Sequence, residues 1–278
     1  MTYDLERSVR ARRSVRTYDE ERPLLSAERA ALREQAAVTD NPFGAAVRFR
    51  FLDHAGAERD YDLHCKGVVV GTETYLGGAV ETGPMALEGF GYAMERIALF
   101  AAARGIGSCW IAGTLERPEF EKAMALRPGE VMPAVLSVGY AADKPTLKER
   151  AMRKAIRADS RLAWEELFFD GAPGTPLTRE RAGRYARALE LLRLGPSAVN
   201  KQPWRVVRDG NAFHFLERRS LSKNPEDDVQ RMDMGIAMFH FEAAAREDGL
   251  SGRWSVTPEA ADFPLPEKWV YTATWTED

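Results

Sequence analysis

Three short segments hold the residue types that chemistry needs. The first, Arg12-Arg13-Ser14-Val15-Arg16, sets three guanidiniums and a hydroxyl within five residues. Each guanidinium is a planar fork of donors matched to phosphate oxygens, so the cluster can surround a phosphate. From composition alone the plainer reading is stronger: a solvated basic helix face or a targeting patch. The second segment is Gly195-Pro196-Ser197-Ala198-Val199-Asn200-Lys201-Gln202-Pro203-Trp204. Its small residues let the backbone come close to a flat ligand, and Ser197 and Asn200 can donate hydrogen bonds. The alternative is an ordinary helix-to-strand loop. The third, Gly105-Ile106-Gly107-Ser108-Cys109-Trp110-Ile111-Ala112-Gly113, also suits close backbone approach. It follows a helix rather than a strand, so it is not a dinucleotide fingerprint.

Other candidates carry less. Cys109 has no nearby histidine and reads as a small packing residue. Glu73, Glu81 and Glu88 have no useful pairing and read as surface. Of His54, His64, His214 and His240, only His64 has a soft neighbour, Cys65. Adjacent residues of a strand point to opposite faces, so no metal site is expected.

The elements that must position these segments follow from the rest of the chain. Its 278 residues suggest about two domains. Apolar residues at 45%, charged residues at 29% and a net charge of -3 describe a globular chain. Near-neutrality argues against a general nucleic-acid or anionic-membrane binder, although residues 7–16 form a local basic patch. No apolar run reaches the roughly 20 residues of a bilayer span. The first 16 residues lack the apolar stretch of a secretory signal. With two cysteines and no disulfide framework, the expected location is the cytoplasm.

Pattern and punctuation predict an Arg-rich helix and extended stretch over 3–18, and a helix over 27–38 capped by Ser26. Alternating Val47, Phe49 and Phe51 predict a strand, and residues 67–70 a second. A long helix is expected over 84–104, stopped by Gly105, then a buried strand over 131–139 and a crossover linker over 143–161. In the second half Thr178 caps a helix to Leu194, and residues 204–216 read as a hairpin around Asp209-Gly210. A helix over 233–248 closed by Gly249 and a strand over 270–275 complete the chain. Residues 75–84 and 221–228 read as loops bordering a substrate pocket. Helices alternating with strands, plus one clear hairpin, imply an α+β sandwich with a mixed sheet.

The second half repeats the first. Leu25-Ser26-Ala27-Glu28-Arg29-Ala30 matches Leu177-Thr178-Arg179-Glu180-Arg181-Ala182, and Asn41-Pro42-Phe43 matches Gln202-Pro203-Trp204. Residues 91–110 overlie 235–254 without gaps, with identities at Gly91/Gly235, Met94/Met238, Gly105/Gly249 and Trp110/Trp254 among others. Three blocks in the same order favour duplication of a half-length unit over chance likeness of Ala-rich helices.

Together the three segments resemble the nitroreductase-like family of FMN-dependent oxidoreductases. Such proteins open with an Arg-Arg-Ser-x-Arg motif (here 12–16), and carry a Pro-Ser-x-x-Asn-x-Gln-Pro-Trp loop (here 196–204) and a Gly-Ile-Gly-x-x-Trp-Ile-x-Gly turn (here 105–113). The Pro-Ser loop normally follows soon after the Arg motif; here Asp40-Asn41-Pro42-Phe43 stands in that place and the loop lies in the second copy. The resemblance implies an intertwined homodimer written as one chain, a pseudo-dimer with halves 1–150 and 151–278. It would have one complete composite site and a mirror site without its Arg motif.

The resemblance also implies the roles. Arg12, Arg13, Ser14 and Arg16 would hold the phosphate, ribityl or pyrimidine groups of FMN, with Arg161 as a late phosphate ligand. Pro196, Ser197, Ala198 and Asn200 would cover the isoalloxazine. The backbone of Trp110, Ile111, Ala112 and Gly113 would lie near flavin N5, with Ala112 where many members carry an acid. No side-chain acid or base is required. NADH or NADPH would reduce the flavin, and a nitroaromatic, quinone or similar small-molecule acceptor would reoxidise it in ping-pong fashion. The expected protein is a monomer with no nucleic-acid or membrane partner. The alternatives are a flavin- or ligand-binding relative without turnover, and a nucleic-acid binder acting through residues 7–16.

Overall fold

The computed structural model describes residues 3–52, 61–221 and 228–278. The chain divides into two compact units, Thr2–Arg157 and Ala158–Asp278.

The N-terminal unit contains α1 (Leu5–Ala11), α2 (Ser26–Ala37), β1 (Val47–Leu52), β2 (Tyr75–Glu81), α3 (Ala86–Ala103), β3 (Gly107–Ile111), α4 (Arg117–Met124), β4 (Glu130–Val131), β5 (Val135–Gly139) and α5 (Leu147–Ala155). Its sheet runs β1-β2-β5-β3, every pair antiparallel, with β4 paired to β2. The C-terminal unit contains α6 (Trp164–Leu167), β6 (Phe168–Asp170), α7 (Arg179–Ala182), α8 (Ala186–Arg193), β7 (Trp204–Asp209), β8 (Ala212–Arg218), α9 (Val229–Glu247), β9 (Gly252–Ser255) and β10 (Trp269–Glu277). Its sheet runs β6-β7-β8-β10-β9, antiparallel except for β6 on β7. The order β1-β2-β5-β3 therefore recurs as β7-β8-β10-β9. The fold is α+β, with mixed and antiparallel sheets, as the alternation of elements implied.

The two long helices end alike. Gly105, at φ +72°, donates to Ala102 and lets Ile106 donate to Ala101; Gly249, at φ +75°, lets Leu250 donate to Ala245. This left-handed close satisfies carbonyls that the helix end leaves open. After each close a strand tryptophan donates back to a carboxylate of its helix: Trp110 Nε1 to Glu95 at 2.9 Å, and Trp254 Nε1 to Glu242 at 2.7 Å. In the C-terminal unit Tyr185, Phe213, Phe241 and Trp275 pack with ring centroids 4.6–6.0 Å apart. Burying each such ring stabilises the fold by about 1.5–3 kcal/mol.

Several expectations are corrected. Residues 75–81 are no pocket loop but β2, an interior strand. Its Gly77 and Gly78 are close-approach positions: an added Cβ would meet Leu52 Cδ1 at 2.7 Å or Phe90 Cε2 at 2.6 Å. Residues 67–70 form no strand; Lys66 and Gly67 turn with positive φ, and only Val70 bridges, to Thr17. The stretch 143–161 holds helix α5, opened by Thr146 accepting from Glu149 N. Ser26 is the first residue of α2, not its cap; Leu25 holds that place without a side-chain bond. Thr178 does cap α7, but Gly183 at φ +56° separates α7 from α8. The hairpin loop is Gly210-Asn211, because Asp209 pairs with Ala212. Glu88 is buried, not surface. His54 and most of the expected loop 221–228 lie outside the described residues.

An ion pair ties β1 to β4. Arg48 Nε and Nη2 reach the two oxygens of Glu130 at 3.0 and 2.6 Å, and Arg127 N donates to the same carboxylate at 2.8 Å. The Arg48 bonds first, then the Arg127 amide, hold the Glu130 carboxyl down from 4.5 to about 2. A depressed carboxyl stabilises above its unfolded value and loses that contribution as pH falls through the folded one. Glu130→Gln is expected to cost about 1–2 kcal/mol at pH 7. The deficit should shrink from about pH 4.5 and vanish towards pH 2, as checked by urea unfolding of both proteins across that range.

Candidate functional site

Residues 12–18 form an extended strap after α1. Val15 N donates to Ser108 O at 2.9 Å, Ser14 bridges Ser108 in parallel, and Val70 N donates to Arg16 O at 2.9 Å. The approach depends on two glycines. A Cβ on Gly107 would stand 2.9 Å from Val15 Cγ2, and one on Gly71 (φ +81°) 2.2 Å from Tyr18 O. Tyr18 anchors the strap end, its hydroxyl 3.1 Å from Ser137 O and 2.8 Å from Ser137 Oγ.

Along an extended strap alternate residues share a side. Val15 is buried and Arg13 exposed, while Arg12 and Arg16 share a second polar environment with Ser14. All three act on Cys109 of β3. Burial pushes that thiol up; the charges of Arg16 and Arg12 and a hydrogen bond with Ser14 pull it down. The thiol is buried, as befits a packing residue, and both guanidiniums lie within electrostatic reach of it. The Arg12 side chain is 6% exposed, with Nε 4.0 Å from Glu95 Oε1. Arg12 Nη1 and Arg16 Nε and Nη1 are buried without a hydrogen-bond partner. Unmatched buried donors of a charged group are costly, and an anion is what would match them.

Glu95 completes this corner. It is fully buried on α3; one oxygen accepts from Trp110 and the other faces Arg12. Beyond Trp110 and Ile111, Ala112 O accepts from Arg117 Nη2 at 3.3 Å. Gly113 has no atom within 4 Å of where a Cβ would stand. Glu95 stands outside the sequence motifs, though an acid within the long, mainly apolar helix of residues 86–103 was a signal.

In the C-terminal unit the segment 195–204 is a strained loop. Val199, Asn200 and Gln202 sit at φ 42°, 58° and 49°, conformations that cost side-chain-bearing residues about 1–2 kcal/mol each. Its own polar groups hold it. Ala198 N donates to both oxygens of buried Asp233 at 3.0 and 3.1 Å. Ser197 Oγ accepts from Gln202 N at 2.8 Å, and Asn200 Nδ2 donates to Ser160 O at 3.1 Å. Buried Gln202 accepts from Leu162 N at 2.9 Å. Arg161 Nη1 donates to Ala158 O and Ser160 O, and Nη2 to Leu194 O. Arg205 donates to Gln202 O and Trp204 O, and burial pulls its guanidinium down to about 10. Ser197 and Asn200 thus shape the loop, Pro196 is part-buried beside them, and Val199 is its exposed tip. Asp233, also missed, takes the place that Gly89 holds on α3 in the repeat. There, Asn41 Oδ1 accepts from Phe43 N and Ala45 N beside the glycine.

A family model described as "Putative TM nitroreductase" matches residues 4–245. Among solved structures, a Thermotoga maritima MSB8 protein described as a putative nitroreductase aligns with a TM-score of 0.59 at 18% identity. That alignment covers 99% of this chain and 94% of the other. A nitroreductase with bound FMN from Bacteroides fragilis NCTC 9343 aligns at 20% identity and a TM-score of 0.41, over 53% of this chain and 94% of its own. A Ralstonia eutropha JMP134 protein, likewise described as a nitroreductase, gives 20% identity and 0.42 over 51% and 84%. No curated protein matches. No helix among the described residues is long and apolar enough to cross a membrane.

The Asp233 carboxylate is predicted to fix the loop. Asp233→Ala should speed amide exchange at Ala198 and its neighbours by about 10–100-fold, the worth of one bond to a charged acceptor. Asp233→Asn, which keeps an acceptor, should fall between. Hydrogen exchange read by mass spectrometry checks both.

Proposed function

The chain belongs to the nitroreductase family that this model describes, and on that footing we propose that it is an FMN-dependent NAD(P)H oxidoreductase. One observation carries the reading: Arg12 Nη1 and Arg16 Nε and Nη1, from residues that flank Ser14 in the strap, are buried without a hydrogen-bond partner. That donor set fits a phosphate monoester, the anionic end of FMN. When bound, FMN supplies a hydride relay between a nicotinamide donor and a nitroaromatic, quinone or similar acceptor, taken in turn.

The chain's own residues bind and position. Arg12 and Arg16 neutralise the phosphate, Ser14 donates to it, and exposed Arg13 adds long-range attraction. Glu95 holds Arg12 and Trp110 in one arrangement, so the phosphate side and the turn at Trp110, Ile111, Ala112 and Gly113 are set together. Pro196, Ser197, Ala198 and Asn200 supply the wall over the ring system, stiffened by Asp233 and Gln202. By resemblance Arg161 would be a late phosphate ligand, and its bonds to the carbonyls of Ala158, Ser160 and Leu194 also brace this part of the unit. By resemblance the chain would be a single-subunit counterpart of a family dimer, a monomer in the cytoplasm.

The test is an absorbance spectrum of the purified protein, followed by anaerobic NADH or NADPH. A flavin band that bleaches supports the reading. Protein that takes up no FMN overturns it, and yellow protein that NAD(P)H does not bleach is the relative without turnover. Arg12→Ala with Arg16→Ala should weaken FMN binding by about 100-fold or more, since each charged contact is worth about 1.5–3 kcal/mol. Fluorescence titration reads that loss directly.

A further inference from the structure

The repeated topology leaves one edge unmatched. In the C-terminal unit the outer edge of β7 is covered by β6, with Phe168, Phe169 and Asp170 lying parallel to Val206, Val207 and Arg208. Phe168 is fully buried, and the Asp170 carboxylate pairs with Arg181 of α7. In the N-terminal unit β1 holds the position of β7 and α2 that of α7. Among the described residues, nothing pairs with the outer edge of β1. A cavity of about 570 Å³ lies between α2 and the sheet at β1, lined by Arg33, Val47, Phe49, Arg50 and Phe51, with Leu76 of β2 behind them. Arg33 stacks over Phe51 at 5.3 Å from the ring centroid. Neither Arg33 nor Arg50 has a carboxylate partner among the described residues, and both are exposed.

We propose that the free edge of β1 is a docking site for an extended segment of another protein that carries an aromatic residue close to a carboxylate. Three observations on the molecule define this occupant. An unpaired edge offers backbone donors and acceptors to an incoming strand. The aromatic floor of Phe49 and Phe51 takes an apolar side chain. The two unpaired guanidiniums repel a basic strand and attract an acidic one. The chain supplies its own template, because β6 brings this combination of aromatic and acid to the equivalent edge. The arginine that meets its acid, Arg181, stands in the repeated block at the place of Arg29, which lies over the Phe51 ring at 5.3 Å from its centroid, beside Arg33. The site does not involve the arginine strap or the loop at Pro196, so it stands whether or not the flavin reading does.

The probe is a fluorescein-labelled peptide of residues 165–171, Glu-Glu-Leu-Phe-Phe-Asp-Gly, titrated into the purified full-length chain and read by anisotropy. Saturable binding is expected, weakened about tenfold or more by Arg33→Glu with Arg50→Glu. Arg33→Ala with Arg50→Ala should give a smaller loss, and unchanged thermal midpoints would show that the variants fold. A peptide N-methylated at both phenylalanines loses the central amide donors of the strand and should bind about tenfold more weakly. Absence of saturation, or equal binding by the charge-reversed variant, overturns the proposal. Equal binding of the methylated peptide would make the cavity a side-chain pocket rather than a strand site. Self-association that the charge reversal abolishes would assign the edge to a second copy of the chain, also against the proposal.

Discussion

Holding guanidinium groups out of water with donors unmatched is the constraint around which the N-terminal unit is built. Arg12 and Arg16 reach that state because the strap of residues 12–18 is pressed against β3 and Val70. The press is possible only where Gly107 and Gly71 leave room for Val15 and Tyr18. Tyr18 on Ser137 then locks the far end. Unmatched charge of this kind persists when the surrounding structure over-determines it. Here the surroundings are a buried sheet edge on one side and Glu95, tied to Trp110, on the other.

The C-terminal unit stores its strain differently. Its loop at 195–204 places three side-chain-bearing residues in left-handed conformations and offsets the cost with hydrogen bonds to Asp233, Ser197 and Gln202. The two units share a strand order, a glycine-closed long helix and a tryptophan that returns to a helix carboxylate. They diverge where they meet their loops. Gly89 admits the Asn41 loop by having no side chain, whereas Asp233 at the matching position grips the Ala198 loop with a carboxylate. The tryptophan bond has also moved along its helix: Glu95 lies 15 residues before Trp110, and Glu242 lies 12 before Trp254. That difference is about one helical turn, so the contact survives while the residue that makes it changes.

Much of the fold was legible from residue order. The apolar runs and glycine stops located α3 and α9, alternation located β1, and the hairpin of β7 and β8 followed from its turn. Elements were misread where burial overrides local pattern. Residues 75–84 read as a pocket loop until Phe90 and Leu52 are seen to need the space at Gly77 and Gly78. The basic stretch 143–161 reads as a linker, although Thr146 and Glu149 have the spacing of a helix start. Glu88 reads as surface because charge usually is.

By itself the sequence determined the three motifs, their order, the duplication and the family resemblance, since all of these reside in residue identity and spacing. Only the tertiary structure decided which polar atoms are spent and which are free. Ser197, Asn200 and Arg161 look like ligand donors in sequence, and in the fold each also bonds to its own unit's backbone. Arg12 and Arg16 look like a solvated patch, yet they end with buried, unmatched nitrogens. Hydrogen-bond satisfaction depends on neighbours distant in the chain, such as Glu95, Ser108 and Asp233. No local pattern carries that information.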